Sequence, residues 1–131
     1  MNNLISACGK IIYDDNDYKL YVDIDDDISK FYLSLIPKYI ANPNHQKYNA
    51  HITVVRNELP INLKNWRKYE NYNIDFFYSP NIQTNNIYFW LNVYSSFLIN
   101  LRKELGLPET SELSRPPSGE KCFHITIGNL K

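Results

Sequence analysis

The sequence predicts an α+β domain in which two pseudo-symmetric lobes, each an antiparallel sheet plus a helix, face each other across a cleft. Three observations predict it. Apolar residues alternate with period two in several short runs and recur at helical spacing in two others. The order strand, helix, loop, strand occurs twice along the chain. Each repeat ends on a strand with the same tripeptide, His51-Ile52-Thr53 and His124-Ile125-Thr126. At 131 residues the chain makes one domain, 1–131, with lobes at roughly 1–60 and 61–131 and an exchange of strands between them left open.

The elements follow in order. Leu4 to Tyr13 and Tyr18 to Ile24 are β-rich and separated by Asp14-Asp15-Asn16-Asp17, so they form a hairpin. Leu20, Val22 and Ile24 point to one face, and Lys19, Tyr21 and Asp23 to the other. Asp25-Asp26-Asp27 caps a helix, since carboxylates accept from its orphan amides and complement its dipole. Its apolar stripe is Ile28, Phe31, Tyr32, Leu35 and Ile36, and Pro37 ends it near Ile36. Ala41 to Tyr48 is loop, with His45 in solvent, and Ala50 to Val55 is the first motif strand. A helical turn is expected around Leu63 to Tyr69. Ile74 to Tyr78 and Ile87 to Val93 are strands flanking the polar turn Asn81 to Asn86. Ser95-Ser96 caps a second helix whose buried side is Phe97, Leu98, Leu101 and Leu105, and Gly106 and Pro108 stop it. Thr110 to Lys121 is loop, and Phe123 to Ile127 is the second motif strand.

Composition narrows the function. Fourteen basic and fourteen acidic side chains cancel, whereas a protein gripping long nucleic acid carries a basic surplus. A small nucleotide or oligonucleotide is therefore the expected partner, with no long duplex. No apolar run is long enough to cross a bilayer and no leader precedes the first strand, so the expectation is a cytoplasmic monomer without membrane attachment, in the host cytoplasm if the source is viral. Its asparagine, lysine and isoleucine richness fits coding from an AT-rich genome. Two cysteines, Cys8 and Cys122, are too few for a disulfide framework and read as small hydrophobes of a reducing compartment.

The motifs carry the chemistry. Residues i and i+2 of a strand share a face. Ile52 and Val54 point to the core, so His51 and Thr53 point away from it. Phe123, Ile125 and Ile127 do the same for His124 and Thr126. Two imidazoles flanking a phosphodiester can divide hydrolysis between them. The neutral ring takes a proton from the attacking hydroxyl, and the charged ring returns one to the leaving oxygen. The threonine hydroxyls donate to the nonbridging oxygens. No metal and no other cofactor is needed, and no convincing metal-ligand set is present. Both limbs of a bell-shaped pH profile are expected near the reference histidine value of about 6.5. A single histidine beside a threonine on a strand is usually structural. Two of three histidines in the same His-Ile-Thr-(Val/Ile) tetrapeptide make coincidence hard to defend.

On these residues the chain resembles the two-histidine phosphoesterase superfamily, which includes cyclic phosphodiesterases, RNA-ligase-like 2′,5′ phosphodiesterases and viral enzymes that degrade signalling nucleotides. The resemblance rests on His51-Ile52-Thr53-Val54 and His124-Ile125-Thr126-Ile127, on their 73-residue separation and on the repeated element order. It implies that His51 and His124 are acid and base, and that Thr53 and Thr126 bind phosphate. It also implies a metal-independent hydrolase acting on a 2′,3′-cyclic, 2′,5′-linked or cyclic-oligonucleotide phosphodiester. The chain stops four residues after Ile127, without elements that extend the second lobe of longer members, so substrate class is the open question. Trimming of RNA 3′ ends and nonenzymatic nucleotide binding are the alternatives.

Other residues are weighed against plainer roles. Tyr21, Tyr88 and Trp90 fall on the motif face by alternation and are candidate stacking platforms for bases, or rings that merely seal the sheet. Arg115, in the loop before the second motif, is a candidate for binding a second phosphate or a carboxylate, or a solvated cation. Arg56 falls on the core side by alternation and is expected to escape at the strand end. Cys122 shares the His124 face and is not assigned as a nucleophile. The acidic run Asp14 to Asp27 lacks the glycine and terminal glutamate of a calcium loop and is explained by turn and cap chemistry.

Overall fold

In the computed structural model, which describes residues 3–45 and 49–131, the chain is an α+β domain of mostly antiparallel sheet with two helices. The expected hairpin forms as β1 (Ile5–Asp14) and β2 (Lys19–Asp23). Its turn places Asp17 and Tyr18 at φ of 59° and 50°, and the Asp14 side chain accepts from the Asn16 amide at 2.9 Å. Helix α1 (Asp26–Ser34) starts at Asp25, whose carboxylate accepts from the Asp27 amide at 2.9 Å. The expected loop from Ala41 contains a two-residue strand, β3 (Asn44–His45); residues 46–48 and the His45 side chain lie outside what is described. The first motif strand is β4 (His51–Val55).

The second half opens with a short 3-10 turn at Leu63–Asn65. Strands β5 (Asn73–Tyr78), β6 (Gln83–Thr84) and β7 (Tyr88–Tyr94) follow. Helix α2 (Ser96–Glu104) is capped by the Ser95 hydroxyl, which accepts from the Leu98 amide at 3.2 Å. Gly106, at φ 81°, takes the left-handed conformation past its C-terminus. The second motif strand, β8 (Phe123–Asn129), completes the fold.

Six strands close on themselves in the order β1, β2, β4, β8, β7, β5, every pair antiparallel, with β3 added at β8 and β6 at β7. Closure satisfies the ladders that open edges would leave unpaired. The two halves therefore meet as parts of one ring of strands rather than as separate sheets, because β4 of the first half pairs with β8 of the second.

One face of these strands is dry. Ile11, Leu20, Val22, Ile52, Val54, Phe76, Leu91, Val93, Ile125 and Ile127 lie in a single buried cluster with Leu98 and Leu101 of α2, Leu105 at its C-cap, and Tyr32 of α1. The α2 stripe is as expected. That of α1 is not: Tyr32 and Ser29 are buried, while Phe31 and Leu35 stay more than half exposed, at 57% and 52%. Gly128 explains how tightly α1 docks, since a Cβ there would meet the Asn44 carbonyl oxygen at 2.7 Å and Leu33 Cδ1 at 2.8 Å. No helix among the described residues is long and apolar enough to cross a membrane.

Candidate active site

The site begins with the pairing of Ile52 in β4 with Ile125 in β8. Both side chains are fully buried, so alternation turns the flanking His51, Thr53, His124 and Thr126 to the opposite face. In an antiparallel pair this register sets His51 beside Thr126 and Thr53 beside His124. Each histidine thus has a hydroxyl from the other motif as its cross-strand neighbour. The neighbouring strands complete the face. β2 sets Tyr21 against Thr53 and Asp23 against His51, and β7 sets Trp90 against Thr126 and Asn92 against His124.

The two imidazoles have different surroundings. The Nδ1 atom of His51 bonds the Asn49 carbonyl at 2.8 Å; a carbonyl only accepts, so Nδ1 carries the hydrogen and Nε2 is left for a ligand. Tyr21 stands edge-on to this ring, centroids 5.9 Å apart. His124 is half-buried, and its Nδ1 lies out of solvent without a hydrogen-bond partner. Burial lowers its pKa to about 4, the Ser114 backbone works against that shift, and the charge of His51 adds slightly to it. His124 is therefore neutral around pH 7.

The open part of the face is a groove of about 430 Å³ lined by Lys19, Leu20, Tyr21, His51, Thr53, Val55 and Arg56. A second groove on the other side of Tyr21 and His51 is lined by Ile12, Asp23 and Asn49. His124 and Thr126 line neither. The Ser114 turn, closed by bonds from the Ser114 and Arg115 amides to the Ser111 carbonyl at 3.1 and 2.9 Å, brings the Ser114 backbone against the His124 ring.

Of the expected substrate contacts, Tyr21 alone lines the grooves. Trp90 is on the motif face but only 2% exposed, and its indole N–H donates to Asn92 Oδ1 at 3.0 Å. It seals the sheet and offers no free ring to a base. Asn92 in turn donates to Glu120 at 3.3 Å, and the Tyr94 hydroxyl donates to the same carboxylate at 2.9 Å, which backs the His124 side of the face. Tyr88 sits at the far end of β7 under the Lys131 ammonium, 4.9 Å from the ring centre. Arg115 bonds the Thr110 hydroxyl at 3.1 Å and lines a separate depression with Glu58, Pro108 and Glu112. Cys122 is buried, and burial followed by the nearby Glu120 charge pushes its thiol up to about 12, which leaves no reactive thiolate.

Lys19 lies on the Tyr21 face where alternation puts it, and Arg56 is exposed just past the end of β4 as expected, but it lines the motif-face groove rather than the core side. Opposite Leu20 and Tyr21 of β2 stand Val55 and Thr53, so Val54 is an extra residue, a β-bulge. Val54 and Val55 are both buried, the alternation shifts by one, and Arg56 returns to the motif face. The adjacent valines were the available signal, since a regular strand would bury only one of them. The carbonyl of Val54 is taken by Arg102 Nη1 at 2.8 Å. Arg102 is fully buried, forks onto both Glu58 oxygens at 2.8 Å and donates Nε–H to the Pro108 carbonyl at 2.7 Å.

Among the described residues no three His, Cys, Asp or Glu side chains converge as a metal-binding group would require. In comparison with known proteins, no family model, no curated protein and no solved structure matches this chain. The fold and face together define a closed six-stranded antiparallel barrel with two helices, bearing a paired His-Thr face.

Proposed function

We propose that the chain is a metal-independent phosphodiesterase that uses His51 and His124 as an acid-base pair on a nucleotide phosphodiester. The observation that carries this reading is the Ile52–Ile125 register, which sets two imidazoles and two hydroxyls side by side on one non-core face. In this reading the two halves act as lobes that share the substrate across the motif face, with the grooves beside Tyr21 as the approach. His124, neutral at pH 7, takes the proton from the attacking water or ribose hydroxyl. His51, its Nδ1–H held by Asn49, presents the other ring nitrogen to the leaving oxygen. Thr53 and Thr126 donate to the nonbridging oxygens as charge builds there.

The class of substrate is a 2′,3′-cyclic, 2′,5′-linked or cyclic-oligonucleotide phosphodiester, turned over by a monomer in the cytoplasm. The test is a panel of 2′,3′-cyclic nucleotides, 2′,5′-oligoadenylates, cyclic dinucleotides and short RNAs, assayed in excess chelator. Turnover of at least one member that survives the chelator is expected. Activity abolished by chelator and restored by one divalent ion would remove the mechanism. Binding of a panel member without turnover would favour a nonenzymatic nucleotide-binding module.

A further inference from the structure

The groove beyond Thr53 holds two cations that the mechanism does not use. Arg56 is brought there by the bulge at Val54, and Lys19 reaches it from β2. Each of the other three arginines is already engaged. Arg67 pairs with Asp15 and Glu70, Arg102 with Glu58, and Arg115 bonds Thr110. Arg56 forms no salt bridge or side-chain hydrogen bond among the described residues. Glu58, two positions away, is already paired, since both its oxygens accept from Arg102 at 2.8 Å. Lys19 has Asp14 as its cross-strand neighbour, yet the two form no ion pair, and Asp14 accepts instead from the Asn16 amide. Two unpaired cations in one groove of a chain with no net charge leave a local field that favours an anion.

The opposite groove has the reverse character. It shares Tyr21 and His51, but its other polar residues are Asp23 and Asn49, and it contains no Lys or Arg. An anion on that side would meet the Asp23 carboxylate, whereas amino and hydroxyl groups would find acceptors. The two grooves therefore impose a direction on a bound nucleotide. Thr53 and Arg56 are three positions apart along the chain, at most roughly 10 Å between alpha carbons, which leaves room for a second anion beyond the one at the motifs.

The geometry points to a second phosphate subsite formed by Arg56 and Lys19, so that the substrate is a nucleotide or oligonucleotide carrying another phosphate besides the diester that is cleaved. This rests on the reading of the histidine face as a phosphodiester site. The guanidinium supplies planar paired donors for phosphate oxygens, and the ammonium adds a point charge.

The experiment compares adenosine 3′,5′-bisphosphate with adenosine 3′-monophosphate by titration calorimetry on the whole chain, in parallel with the turnover panel. The bisphosphate is expected to bind about 10- to 100-fold more tightly. Arg56→Gln and Lys19→Gln should each erode that difference and leave monophosphate binding unchanged. Both side chains are exposed, so the variants should keep the wild-type circular dichroism and unfolding midpoint. Equal affinities, no binding of either compound, or equal weakening of both by Arg56→Gln would overturn the subsite, the last by placing Arg56 on the phosphate at the motifs. If no diester in the panel is turned over while the bisphosphate preference holds, the catalytic reading fails and the subsite stands.

Discussion

Ile52 of β4 and Ile125 of β8 lie directly across from each other, and this one pair aligns both His-x-Thr motifs. Strand side chains alternate with a period of two, so a slip by a single residue would send one motif's histidine and threonine into the core. The buried isoleucines thus hold the register by hydrophobic burial on one side, and the polar residues occupy the other. Apolar packing and the His-Thr residues are thus separated onto the two faces of the same strands.

Replacing either histidine with alanine is expected to lower turnover about 10²–10⁴-fold, roughly 3–5 kcal/mol of barrier. The double variant should lose much less than the product of the two, since an acid and a base act as a unit. Neither ring belongs to the buried apolar cluster, so folding should persist. A variant that unfolds while its soluble fraction keeps the wild-type rate would mark that histidine as structural. Kinetics on the three variants, with unfolding curves, decide it.

Arg102 is the second place where one side chain supports the site from a distance. Removing it takes the guanidinium donors away from the Glu58 carboxylate and from the Val54 and Pro108 carbonyls. Arg102→Met should cost on the order of 3–5 kcal/mol in urea unfolding, the range for breaking a buried ion pair. Glu58→Gln should cost less, because an amide in its place can still accept from the guanidinium. Glu58 is itself partly buried, which raises its pKa, but the hydrogen bonds and charge of Arg102 outweigh this and lower it. Part of the pair's contribution is therefore lost as pH falls through the carboxylate range. An Arg102→Met variant as stable as the wild type would show that the bulge holds without it.

Much of the fold was legible because it is local. The Asp14–Asp17 turn, the Asp25 and Ser95 caps and the Gly106 stop each involve residues within a few positions, and all are found where expected. The motif face was legible because period-two alternation holds through His51–Thr53 and His124–Thr126. What stayed hidden depends on distant partners. Closure of the sheet by β7 and β8 is long-range pairing, which a single sequence does not encode locally. Arg56 is exposed at the strand end as expected, but alternation alone does not place it in the motif groove, because the Val54 bulge exists only against β2. Trp90 was correctly oriented, but its burial comes from neighbouring elements and removes it as a stacking platform.

The pH behaviour follows from the burial of the His124 ring nitrogen. Its pKa falls to about 4 chiefly through burial, well below the 6.5 of a free histidine, so the earlier expectation of two limbs near 6.5 shifts for this ring. In its proposed role as the base it must be neutral, and kcat/KM reports the free enzyme. The acid limb of kcat/KM should therefore lie near 4. A bound phosphodiester brings a negative charge next to the ring and favours its protonated form. The acid limb of kcat should accordingly stand at higher pH than that of kcat/KM. Stability gives an independent readout. Between about pH 6.5 and 4 the unfolded chain binds a proton at residue 124 that the folded chain does not, so folding weakens as pH falls across that window. The full effect is on the order of 3 kcal/mol, complete above 6.5 and lost progressively towards 4. His124→Ala should remove this slope from unfolding free energies measured at pH 7, 5.5 and 4. It should also remove the acid limb from whatever activity remains. An acid limb of kcat/KM near 6.5 in the wild type, with stability unchanged in slope by the substitution, would mean that the His124 ring is hydrated in solution.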